Sequence, residues 1–76
     1  MSKLKTQRED LYNRMHAGVS VHAKRLFPGQ TWESLMMPEL FDALHECRLW
    51  DEIYAAGFND DHISAALRKI HAFGPL

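Results

Sequence analysis

At 76 residues the chain has room for one domain, and a domain of this size buries only about 60% of the surface its unfolded chain exposes, which argues against a deep catalytic cleft. A composition of 46% hydrophobic and 25% charged residues excludes the disordered class, and no apolar run approaches the roughly 18 residues of a membrane span. The net charge of −1 is unevenly placed: residues 1–27 carry six Lys/Arg against Glu9 and Asp10, giving +4, while residues 28–76 carry three against eight acids, giving −5.

Residues 1–5 are expected to fray. Thr6 with Glu9 three residues on matches a capping box, in which each side chain satisfies a free backbone N–H of the other. From there a helix is predicted to run toward Phe27, with Leu11, Met15, Val19, His22 and Leu26 as its apolar stripe. Arg14, Lys24 and Arg25 fall on a different face. They either dock on the acidic remainder of the chain, which is the preferred reading, or meet nucleic acid or an acidic partner. Gly18 weakens this helix by about 1 kcal/mol relative to alanine, so either another helix crosses closely there or the helix breaks, and the crossing is preferred.

Pro28 and Gly29 end the first element. Thr31 can cap one short turn in which Trp32 and Leu35 or Met36 roof the core, and Pro38 suits the first position of a further helix, where its missing N–H costs nothing. The segment 38–56 does not fit one buried face. If it were a single straight helix, Leu40, Leu44, Cys47 and Tyr54 would share a side and Leu49 and Ile53 would lie nearly opposite. Either the segment bends near Cys47, or the first helix wraps round to cover the second side. The third option is that the side at Leu49, Trp50 and Ile53 meets a partner protein or a second copy of the chain.

Residues 49–73 are predicted to form a helical hairpin turning at Gly57. Asn59 suits the N-cap, Asp60 and Asp61 the first turn, Phe58 and Ile63 a hydrophobic staple, and Gly74 with Pro75 the end of the second helix. In that helix Ile63, Ala66, Leu67, Ile70 and Phe73 recur at intervals of three and four, and Ile63, Leu67 and Ile70 are expected in the core. No strand-like alternation occurs. The fold class is therefore all-α: one small bundle of three to five helices with a C-terminal hairpin.

Chemistry-bearing residues are few. Zinc needs closed sets of ligands at short paired spacings, whereas His45 and Cys47, two residues apart on a helix, point in different directions, so no metal or cofactor is expected. Cys47 reads as a small packed thiol, since nothing in the sequence sets a base, an orienting group and an oxyanion hole around it. His22, within an apolar stripe, is expected to be a hydrogen-bonded interior histidine, with the other four at the surface or its boundary. Adjacent acids such as Asp51 and Glu52 do not face each other on a helix, and capping explains Asp60 and Asp61. No catalytic set is expected.

The hairpin invites two comparisons. As a helix-turn-helix, Ala56, Gly57, Phe58 and Ile63 have suitable spacing, yet the second helix would present Asp60 and Asp61 to phosphates. Ala56, Gly57 and Phe58, followed by the pair Ala66 and Leu67, also resemble the first two helices of ubiquitin-associated domains over residues 49–73, a likeness of packing that carries no binding residues over. The expectation is a non-enzymatic module in the cytoplasm, such as a bacterial or bacteriophage-encoded regulator or inhibitor that occupies a partner protein's surface. The alternative is a DNA-binding regulator using its basic N-terminal helix or the segment 49–73. A protein partner, or a homodimer, is placed ahead of nucleic acid, and no membrane association is expected. The lone Cys47 fits a reducing compartment, and no charged-then-apolar secretory signal opens the chain.

Overall fold

The structure, a computed structural model, describes residues 3–76. Among these are four helices, α1 (Lys3–Leu26), α2 (Met37–Glu46), α3 (Trp50–Ala55) and α4 (Asp60–Phe73), with a 3₁₀ turn at Trp32–Ser34 and no strand. The long axis of 41 Å matches α1, whose 24 residues span about 36 Å at a rise of 1.5 Å each. Met1 and Ser2, part of the segment expected to fray, lie outside the described residues. Because α1 already runs from Lys3, Thr6 and Glu9 stand inside it and do not start it, which corrects the capping-box expectation.

Gly18 does not break α1. A Cβ placed there would stand 2.4 Å from Cys47 Sγ, so the bare glycine is what lets the end of α2 approach. Leu11, Met15 and Val19 are buried as the periodicity predicts. The stripe then steps four residues to Ala23, which shares a recess with Trp32, Leu35 and Leu76, leaving His22 and Leu26 only partly covered.

The link to α2 follows its turn chemistry. Thr31 accepts a hydrogen bond from Ser34 N at 3.3 Å and so caps the 3₁₀ turn. Trp32 and Leu35 cover the core, while Met36 is 69% exposed. Met37 opens α2, so Pro38 stands one place inside the expected first position, and Glu39 Oε1 accepts from Met36 N at 2.8 Å to close the start. The bend near Cys47 is a full break: Cys47 ends α2, and Arg48 takes the left-handed turn at φ 55 that usually falls to glycine.

At the hairpin, Gly57 has φ 86 and Asn59 Oδ1 accepts from His62 N at 2.9 Å. His62 returns the bond, its Nδ1 accepting from Asn59 N at 3.1 Å, in the place where glutamate usually completes a capping box. Ile63, Leu67 and Ile70 are buried as predicted. Phe73 leaves the stripe at 75% exposure and lies edge-on to His16, with ring centroids 5.3 Å apart. None of the described helices is long and apolar enough to cross a membrane.

Candidate functional site

The break after α2 turns the face expected at Leu49, Trp50 and Ile53 inward. Ile53 has no exposed surface and Leu49 is buried, so both belong to the core of the single chain and neither is presented to a partner. Trp50 is only partly covered: its Nε1–H donates to His45 Nδ1 at 3.0 Å and its ring stacks on exposed Tyr54, with centroids 5.9 Å apart.

The three cations singled out on α1 do not act as one stripe. Arg25 Nη2 donates to Glu46 Oε1 at 2.8 Å, and that bond holds the Glu46 carboxyl below the usual glutamate range, helped by the positive fields of Arg25, His22 and Arg48. Arg14 lies 4.0 Å from Glu52 and from Asp10. Lys24 lines the recess beside Pro75 and Leu76. Arg25 thus meets an acid at the end of α2, and Arg14 lies between an acid of its own helix and one of α3.

Of the histidines, His16 and not His22 is the interior one. At 5% exposure it donates from Nε2 to Gly74 O at 2.7 Å, while Ser20, one turn on, donates to His16 O and accepts from Leu76 N at 3.0 Å. These bonds tie the C-terminal segment to α1. His71 and Trp32 exchange a second pair: Trp32 Nε1–H donates to His71 O at 2.8 Å, and His71 Nε2–H donates to Trp32 O at 2.9 Å. His22 instead sits at the surface beside Arg25. Among the described residues no three His, Cys, Asp or Glu side chains come close enough to hold a metal ion. Cys47 is half-buried against Gly18, and burial, with a lesser push from Glu46, raises its thiol pKa, which keeps it protonated and a weak nucleophile.

One feature was not foreseen from the sequence. An open groove of about 270 Å³ runs between α1 and α4, lined by Arg8, Tyr12, Phe58, His62, Ala65, Ala66 and Lys69. Its α4 wall is the set 62, 65, 66 and 69, a helical face at steps of three, four and seven next to the buried one. Small Ala65 and Ala66 keep the floor low. Tyr12 forms the α1 wall, and partial burial raises its phenol pKa. Arg8 Nε donates to Ala56 O at 2.9 Å, and its guanidinium lies 6.0 Å from the Phe58 ring centre. Lys69 Nζ lies 5.2 Å from the Tyr12 ring centre. Gly57 makes room for this arrangement, since a Cβ there would come within 2.9 Å of Arg8 Nη2. The lining residues include no carboxylate and no thiol.

Compared with known proteins, the chain matches no family model, no curated protein and no solved structure.

Proposed function

We propose that this chain is a non-enzymatic protein-binding module of the cytoplasm, a small regulator or inhibitor that acts by occupying a partner's surface. The groove between α1 and α4 supports this reading: an apolar floor with N–H donors at its edge, carried on helices, is the pattern of surfaces that receive side chains from another protein. The DNA-binding alternative draws less support, because Arg14 and Arg25 are engaged with Glu52 and Glu46 and because exposed Asp60 and Asp61 open α4.

The test is site-specific photo-crosslinking in the cells of origin, with benzoylphenylalanine placed singly at exposed positions Ala17, Asp42, Tyr54 and Ala65. Discrete protein adducts confined to one of these positions are expected. Adducts to nucleic acid, or no adduct at any position, would overturn the reading.

A further inference from the structure

Four of the nine Lys and Arg residues differ in what they lie against. Arg14 and Arg25 lie beside carboxylates, whereas among the described residues neither Arg8 nor Lys69 is within ion-pair distance of one. Both are instead held over aromatic rings at the groove, and Arg8 is fixed further by its bond to Ala56 O. Cations seated this way keep donors directed at solvent along the groove's edge. His62 adds a third. Because its Nδ1 accepts from Asn59 N, the neutral ring carries its proton on Nε2, leaving an N–H donor on the edge away from the cap.

We propose, as a deepening of the protein-binding reading above, that this groove takes an acidic peptide segment of a partner protein, with apolar anchors on the floor at Phe58, Ala65 and Ala66 and carboxylates at Arg8, His62 and Lys69. Charge complementarity fixes the sign: Arg8, Lys69 and the His62 N–H edge the groove, and no carboxylate lines it. An open groove of about 270 Å³ has room for a few apolar side chains of a peptide. An amphipathic helix, with apolar residues three and four apart, matches a groove between two helices.

Random peptides displayed on phage, selected on the whole chain, test this. The enriched sequences are expected to be acidic, with apolar residues at helical spacing. Their binding is expected to weaken with salt, to be lost in Ala65→Glu, and to shift toward basic peptides in Lys69→Glu, each variant first confirmed folded by its thermal melt. Enriched peptides without acidic bias, or binding indifferent to Ala65→Glu, would overturn the groove assignment while leaving a protein-binding module in place. No enrichment at all would count against both. Self-association abolished by Ala65→Glu, or capture by anionic lipid vesicles abolished by Lys69→Glu, would put a different occupant in the groove and overturn the proposal.

Discussion

At Gly18 the backbone of α1 comes so near the end of α2 that no β-carbon fits between it and the Cys47 thiol, whereas about two to three turns earlier, at Tyr12 and Arg8, the same helix leaves an open groove against α4. The two regions share a helix and differ in what each partner places at the contact. A glycine facing a small thiol brings helices together, and the gap closes. Alanines facing a tyrosine leave a low floor, which the Arg8 guanidinium edges from its bond to Ala56 O beside Phe58 and the Lys69 ammonium edges from over the Tyr12 ring. The closed side holds the fold together, and the open side is where the proposed peptide would dock.

The largest expected effect strikes the closed core. Ile53→Asp would bury an unpaired carboxylate, at several kcal/mol against a total stability of about 5–15 kcal/mol for a domain, and is expected to abolish the helical circular-dichroism signal and its cooperative melt. A folded Ile53→Asp protein would place this residue outside the core and return it to a partner face. Next, Gly18→Ala sets a helix-propensity gain of about 1 kcal/mol against an overpacking cost of about 1–3 kcal/mol, because Cys47 Sγ must move off its bond to Ala43 O. Net destabilisation is expected in the wild-type background and a smaller loss or none in Cys47→Ala, where only the Cβ at 3.3 Å remains. An equal loss in both backgrounds, in urea titrations, would show that the crossing does not depend on the thiol.

On the open side, Ala65→Glu is expected to leave the denaturation midpoint within about 0.5 kcal/mol, as for other exposed helix positions. A drop of the size seen in the core would mean the groove is closed in solution. The smallest effect concerns the surface pair of Arg25 and Glu46. Since the folded Glu46 pKa is lowered, the pair's contribution is present above the ordinary glutamate value of about 4.3 and fades as pH falls through the depressed folded value. The stability difference between wild type and Arg25→Ala should therefore narrow in acid, and in the variant the Glu46 carbon resonance should titrate closer to its ordinary range. A gap that widened in acid would reverse the assignment.

The limits of sequence reading show at particular residues. Helical spacing places His22 within the apolar stripe and His16 outside it, yet His16 is the one that is buried. The difference is made by Gly74, whose carbonyl reaches His16 from 58 positions away. Ile53 and Leu49 form an external face only on a straight helix over 38–56. The break that turns them inward relies on Arg48 in a left-handed turn, for which arginine gives no signal. Arg8, Phe58 and Lys69 come from three segments, and no spacing rule joins them.

What the sequence determined by itself is a set of features governed by neighbours within about one turn: the stop at Pro28 and Gly29, the cap at Thr31, the turn at Gly57, the Asn59 start and Gly74 end of α4, and the buried set Ile63, Leu67 and Ile70. Capping, backbone φ and helical periodicity are local, so the residues that decide them are adjacent on the page. Which histidine is buried, which cations meet acids and where a groove stays open were decided only when α1 met α2 and α4, because those outcomes depend on the distance between helices, and side-chain size at each crossing sets that distance.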